Sequence, residues 1–450
     1  MATNRHLRRR ALRGIVLVLC TTSVLLVDAD RDMPAPARGV VVVERAEDEE
    51  YEEHEGRAPT KAELEPSVEG AFTRESYRPA TTARLVIANA APGIALQIFR
   101  IGMEHARTRG NTEMRGVAVT GRALIGSSHG RRVVRVAVGN WPNGLYFARL
   151  EASDGRVGFA PFFVRPRRLG EHRVAVVLPT LTWQAYNLRD DDHDGQGDSW
   201  YASWRVRTAR LGRPYLNRGV PFNFRSYDLP FIHWLERTGR GVDYLSDSDL
   251  ASAPSAGALA RAYDLIVFPG HHEYVTTREY NLVEAYRKLG GNLMFLSANN
   301  FFWQVVKRGN VIEKTKQWRD LGRPEAALIG VQYRGNDRGT HRAPWILRRS
   351  SATSWVFAGT GLATGSGFAS AGIEIDKTAP SSPRGVQVVA EIPNLFGPGF
   401  TGQMTYYETS GGAKVFAAGA FTLAGMAQNP QVATVLTNVW SRLTADGGQD

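Results

Sequence analysis

The chain has 450 residues, 43% of them hydrophobic and 22% charged, proportions ordinary for a globular protein with room for two domains. Its formal net charge is +11, but the basic residues lie in short scattered clusters rather than one stripe, which argues against a nucleic-acid partner. The single cysteine, Cys20, sits in an amino-terminal apolar stretch; disulfides, a cysteine nucleophile and thiolate zinc sites are therefore excluded from the folded part, where any metal must be held by oxygen or nitrogen.

Residues 1–30 place Arg5, Arg8, Arg9, Arg10 and Arg13 ahead of an apolar run from Ile15 to Val27, the arrangement of a signal peptide; left uncleaved, the segment would act as a membrane anchor. The consecutive arginines also suit a twin-arginine route, so the protein is expected to be exported, to the cell envelope or beyond it. Cleavage would remove five arginines and Asp28 and leave a net charge of about +7. Residues 31–81 combine prolines, the acidic block Glu44 to Glu55 and few aromatic residues. They read as a disordered tether, because they cannot bury enough apolar area to offset the entropy of ordering.

Residues 82–166 carry alternating patterns at short spacing, among them Ala95-Leu-Gln-Ile-Phe99, Arg132-Val-Val-Arg-Val-Ala-Val138 and Gly144-Leu-Tyr-Phe-Ala-Arg-Leu150. With no helical period between them they predict a small antiparallel β-sandwich, in which Trp141-Pro142-Asn143-Gly144 closes a hairpin and Tyr146 falls on the following strand.

From residue 172 to 445 the pattern changes. Unbroken apolar runs at Val174–Leu178, Leu265–Phe268 and Leu293–Leu296 predict strands buried on both faces, with helices at 231–238, 255–262, 277–289 and 431–443. Such alternation specifies a doubly wound α/β sheet. Its three strands end in Thr182-Trp-Gln-Ala-Tyr186-Asn187, in Pro269-Gly-His271-His272-Glu273-Tyr274 and in Asn299-Asn300-Phe-Phe-Trp303, which brings polar tips to the edge where ligands bind in open α/β sheets. Residues 318–445 are less regular.

The His271-His272-Glu273 cluster could supply metal ligands, a general base with its orienter, or helix caps. Asp190, Asp192, Asp194, Gly195 and Asp198 resemble a calcium loop, with Tyr201 at the twelfth position where a bidentate glutamate would stand; a solvated acidic loop built on Asx turns is the other reading. No Gly-x-Ser-x-Gly elbow follows any of the apolar strands of residues 172–445, which disfavours a Ser-His-Asp hydrolase. Trp183, Trp200, Tyr201, Trp204 and Trp303 would suit an alternative class, an exported non-catalytic binding protein that stacks a carbohydrate or other ligand on aromatic rings.

The segments Asn143–Tyr146, Thr182–Asn187, Pro269–Tyr274 and Gly291–Trp303, in this order, resemble the large (beta) subunit of N,N-dimethylformamidase over about residues 140–440. The resemblance implies a class I glutamine-amidotransferase-like α/β domain and metal-dependent hydrolysis of a small-molecule amide. It also implies a mononuclear Fe3+ site bound by two tyrosines and a glutamate, carried over as Tyr146, Tyr186 and Glu273. Phenolates and a carboxylate are hard anionic oxygens suited to Fe(III), and three protein ligands leave positions open for water and substrate. Beside the metal, His271 would move protons and Asn299 would orient the carbonyl oxygen, with Trp183, Asn187, His272, Tyr274 and Trp303 around the substrate. Such a site would span both domains, Tyr146 reaching in from the sandwich; a homo-oligomer is also expected. The family enzyme is cytoplasmic, whereas this chain opens on an export signal. The Gly270-His271-His272 turn has no cysteine, which excludes the glutaminase chemistry of the parent fold.

Overall fold

The computed structural model describes residues 57–444 except 105, 204, 349 and 350. Residues 1–30, expected to be an export signal, residues 31–56 of the expected tether and Trp204 therefore lie outside the described residues.

The alternating strands form a two-sheet sandwich. One sheet holds Gly70–Phe72, Thr82–Ile87 and Arg132–Ala137; the other holds Ser76–Tyr77, Val157–Val164, Gly144–Glu151, Ala90–Arg100 and Val117–Ala118, with Ala123–His129 paired to Ala90–Arg100. Leu85, Ile87, Ile98, Ala148, Leu150 and Val164 fill the space between them. Two expectations are corrected here. Residues 57–81 are not a disordered tether, because Val68, Phe72 and Tyr77 are buried in the sandwich and Gly70–Phe72 pairs with Leu85–Ile87. The few apolar residues of this stretch are placed where the sandwich core needs them. Nor does the Trp141–Gly144 turn close a hairpin: the strand before it pairs with Thr82–Ile87, and the strand after it pairs in the other sheet. The turn crosses between sheets, and there Asn143 docks on the neighbouring domain. Its Oδ1 accepts the Tyr244 N–H (2.8 Å) and its Nδ2 donates to the Tyr244 carbonyl (3.3 Å), extending the edge of the larger sheet by one side-chain amide.

That sheet is built from the apolar runs. Asp243–Ser246, Val174–Leu178, Leu265–Phe268, Asn292–Phe295 and Lys414–Ala417 lie side by side and run parallel. Val174, Val176 and Leu178 face one core and Ala175 and Val177 the other, so both sides are covered and the sequence shows no polar alternation. Numbered along the chain, these strands stand in the order 2-1-3-4-5, an open parallel sheet with one reversal of direction. Past Lys414–Ala417 the sheet becomes antiparallel, through Gly402–Glu408, Gln387–Ile392, Arg342–Leu347, Gly367–Lys377 and Gln332–Asn336. The irregular region of the sequence is thus an antiparallel β extension of the parallel half. A small sheet of Thr208–Arg210, Val311–Gln317, Trp303–Arg308 and Tyr274–Thr276 completes the domain.

The helices Leu229–Arg237, Ala256–Ala262, Thr277–Lys288 and Pro430–Thr444 fall where the sequence predicts them. Among the described residues, no helix is long and apolar enough to cross a membrane.

Candidate functional site

The strand order reverses between Val174–Leu178 and Leu265–Phe268, and in open parallel sheets the carboxyl ends of the two strands at such a point are where ligands bind. The first strand continues into the short buried helix Thr180–Ala185, which delivers Tyr186 at its end. The second continues into Gly270–Glu273; a side chain at position 270 would collide with Asp228 and Pro179, so only glycine lets the turn pass.

Here the side chains converge on one oxygen. Glu273 is 1% exposed, and its Oε2 accepts the hydroxyls of Tyr186 (3.0 Å) and Tyr201 (2.8 Å). His271 Nε2 stands 3.2 Å from the same oxygen, 3.2 Å from the Tyr186 hydroxyl and 3.6 Å from Glu374 Oε2. The Tyr274 hydroxyl makes a short contact with that of Tyr201. Ring packing fixes the phenols: Tyr186 stacks on Tyr201 with centroids 4.3 Å apart and on Phe222 at 5.3 Å. His271 Nδ1 lies 3.2 Å from the Ala298 carbonyl. A carbonyl only accepts, so Nδ1 carries a proton; Nε2 faces the carboxylates, donating to Glu273 when the imidazole is charged and accepting when it is neutral.

The electrostatics follow from burial. Burial opposes the charge on Glu273, but hydrogen bonds from His271, Tyr274 and Tyr201 outweigh it and hold the carboxyl below its usual range. Burial, followed by the Glu273 charge, pushes the Tyr186, Tyr201 and Tyr274 phenols well above theirs. The cluster is one carboxylate wrapped in protonated phenols, a set of hard oxygens whose protons a strongly charged cation would replace.

The structure brings together Tyr186, Glu273, His271 and Tyr274 of the residues expected at the site. Tyr146 is not among them. It lies in the sandwich core, with its hydroxyl donating to the Pro142 carbonyl (2.7 Å) and its ring stacked on Trp141. The site is consequently contained in the sheet domain rather than shared across two. Asn299 is buried next to Ala298 in a left-handed backbone conformation (φ 52°), and its N–H donates to Asp376 Oδ1 (2.9 Å). Burial pushes the Asp376 carboxyl up to about 7.

The remaining candidates do structural work. The Trp183 indole donates to Asp228 (3.3 Å). Asn187 brackets the chain at Pro214 and Leu216. Trp303 lies on the small sheet under Lys314, whose Nζ is 4.5 Å above its ring. Trp183, Trp200 and Tyr201 are all buried, so they offer no open face to a stacked sugar. The Asp190, Asp192 and Asp194 carboxylates lie within 4.8 Å of one another, while Asp198 accepts the Asp191 N–H (2.6 Å). Asp190 also accepts the His193 and Gly195 N–H groups, and Asp192 and Asp194 accept the N–H groups two residues on, of Asp194 (3.2 Å) and Gln196 (2.7 Å), forming Asx turns.

Sequence reasoning does not assign two members of the cluster to it: Tyr201 reads as the last position of the calcium-like loop or as a stacking aromatic, and Glu374 is not singled out. Tyr201 stands in a loop without periodicity. Glu374 did carry a signal: in Ile373-Glu374-Ile375-Asp376 the two carboxylates are two residues apart, hence on one face of a strand, and both are buried.

His272 points away from this cluster. Its Nδ1 is 3.3 Å from the Gly270 carbonyl and its Nε2 3.8 Å from Asp247 Oδ1, while burial drives the imidazole down to about 3. Asp247 and Glu279 face each other at 1% and 0% exposure. Burial first, and then the Glu75 charge, lifts Asp247 to about 8 against hydrogen bonds from Leu181, Glu279 and Thr180, while burial followed by the Asp247 charge lifts Glu279 well above its usual range. The fold therefore holds protons that the unfolded chain releases near pH 4. The stabilisation is complete below that pH and is lost as pH rises towards and through 8, by about 1.4 kcal/mol per pH unit for each proton held. Glu279→Gln is expected to flatten this decline between pH 5 and 8 and to exceed the parent in urea midpoint at pH 8. Parallel curves for the two proteins would refute it.

The family described as N,N-dimethylformamidase beta subunit-like, C-terminal, matches residues 131–432. The N,N-dimethylformamidase beta subunit of an Alcaligenes species is 31% identical over 190 residues, covering 41% of this chain and 24% of that subunit. The corresponding subunit of Paracoccus aminophilus is 27% identical with the same coverage. The chain thus spans about a quarter of the length of these curated relatives. Among solved structures, a variant of the superoxide reductase (neelaredoxin) of Ignicoccus hospitalis aligns with 24% of this chain and 88% of its own, at 9% identity and a TM-score of 0.17, too low to bear on the fold.

Proposed function

The chain belongs to the N,N-dimethylformamidase beta subunit-like family, and from that premise we propose that it is a metal-dependent hydrolase of carbon–nitrogen amide bonds with ferric iron as its cofactor. The observation that carries this reading is the meeting of the Tyr186 and Tyr201 hydroxyls and His271 Nε2 on Glu273 Oε2. Tyr186, Tyr201 and Glu273 would hold the ion, because they present three hard oxygens within hydrogen-bonding distance in a buried site, and hard anionic oxygens suit Fe(III). Bound there, the ion supplies Lewis acidity towards the amide carbonyl and towards water.

The chain's own groups do the rest. His271 accepts the proton of the attacking water at Nε2 and returns it to the leaving nitrogen, so that amide and water become acid and amine. Glu374, 3.6 Å from Nε2, steadies the imidazolium between those steps, and the Ala298 carbonyl keeps the ring in orientation. Asn299 orients the carbonyl oxygen. We read the parallel half of the sheet as glutamine-amidotransferase-like, the protein as exported, and the Asp190, Asp192 and Asp194 loop as a second cation site, for calcium.

Metal analysis and one assay test these statements together. Protein made with ample iron is expected to carry one iron per chain, to absorb visible light through phenolate-to-iron charge transfer, and to release dimethylamine from N,N-dimethylformamide. Calcium that EGTA removes while the iron stays would belong to the aspartate loop. A colourless, iron-free and inactive product would sink the hydrolase reading.

A further inference from the structure

A second concavity opens on the far side of His271. It is a cavity of about 590 Å³ whose wall carries Arg107, Arg225, Arg237 and Arg342. Among the described residues the only carboxylate in that wall is Glu104, and it is taken by His233 Nε2 at 2.7 Å. Among the described residues none of the four guanidinium groups is ion-paired; Arg225 is held in place by a hydrogen bond from its Nε to the Thr108 carbonyl (2.9 Å). Positive charge gathered around a concave surface raises the local concentration of anions there.

The floor of this cavity adjoins the phenol site. Phe421 and Tyr227 both line it, and Phe421 also packs edge-on against the His271 ring with centroids 4.8 Å apart. Tyr227 packs on Phe421 at 4.7 Å. Burial pushes the Tyr227 phenol up to about 12, the Glu374 charge adding to the rise while the Asn223 hydrogen bond and the Arg342 charge oppose it. One aromatic ring separates the arginines' chamber from the imidazole.

We propose that the natural substrate is an anionic linear amide, whose carboxylate, set several carbons from the amide, is taken by Arg225 and Arg342. This rests on the amide-hydrolase reading and adds to it the substrate class. A neutral amide as small as dimethylformamide gives these arginines nothing to hold, whereas guanidinium groups match a carboxylate in charge and geometry. The spacer follows from the ring that lies between the two chambers.

The test compares N-formyl-4-aminobutanoate with its uncharged counterpart N-butylformamide, which presents the same amide. Wild-type protein is expected to favour the charged compound at least tenfold in kcat/KM at low salt, with a smaller preference in about 0.5 M NaCl, where exposed charges are screened. In the Arg225→Gln, Arg342→Gln double variant the ratio should fall about tenfold, equivalent to about 1.4 kcal/mol. Both side chains are exposed, so the double variant is expected to fold, which its thermal melt verifies. A ratio near one in the wild type, or one unchanged in the double variant, overturns the proposal. If neither compound nor N,N-dimethylformamide is hydrolysed the amidase reading has failed, and the cavity is then judged by calorimetry with glutarate. Glutarate binding to wild type and not to the double variant upholds an anion site; no binding to wild type overturns it.

Discussion

Glu273→Gln is expected to leave less than a tenth of the wild-type iron, to abolish the visible absorption and to lower kcat/KM on an amide by at least about a thousandfold, equivalent to about 4 kcal/mol. The substitution keeps the shape of the side chain and removes its charge. In the native site one carboxylate oxygen receives two phenols and faces an imidazole, all at 3.2 Å or less. A glutamine can offer one carbonyl to these donors, but its amide nitrogen repels any cation. The variant also has a readout that needs neither iron nor activity. The Glu273 charge is the second cause, after burial, that raises Tyr186, Tyr201 and Tyr274. Ultraviolet titration of the iron-free variant should therefore show tyrosines ionising at lower pH than in iron-free wild type. Stoichiometric iron in the variant would remove Glu273 from the ligand set, whatever happened to activity.

The framework of this site was legible in the sequence where the physics is local. Val174–Leu178 and Leu265–Phe268 are short apolar runs without alternation, a pattern produced by strands covered on both faces, and the polar residues just beyond them had to lie at one edge of the sheet. Gly270 and the His271–Glu273 cluster were readable for that reason. The antiparallel half was not, because Gly367–Lys377 and Gln387–Ile392 are interrupted by register shifts that blur the two-residue period, and Glu374 went unnoticed with them. Tyr201 illustrates a different limit. Its neighbours along the chain belong to an acidic loop, and only the three-dimensional path returns its hydroxyl to Glu273. Tyr146 depended on parity. In Gly144–Glu151 the residues Tyr146, Ala148 and Leu150 face the sandwich interior, while Leu145 and Phe147 pack against the sheet domain. Alternation reveals that a strand has two faces but not which face meets which partner, and a shift of one residue moves a side chain to the opposite core.

That parity makes the exchange of one tyrosine for the other the sharpest test of the ligand set. Tyr201→Phe deletes a hydroxyl 2.8 Å from Glu273 Oε2 and leaves a ring that can still stack on Tyr186. Loss of a group that merely supports a ligand costs about 10- to 100-fold in metal affinity or activity, so loss of a ligand itself is expected to cost at least about a hundredfold in both. Any iron that remains should absorb at a shifted wavelength, since one of two phenolates is gone. Tyr146→Phe deletes a hydroxyl of equal chemistry whose partner is the Pro142 carbonyl, in the core of the sandwich. Its expected cost is one buried hydrogen bond, about 1 kcal/mol of stability, with iron content and colour as in wild type. Loss of iron in Tyr146→Phe together with full iron in Tyr201→Phe would return the first domain's tyrosine to the metal and overturn the geometry on which the proposed chemistry stands.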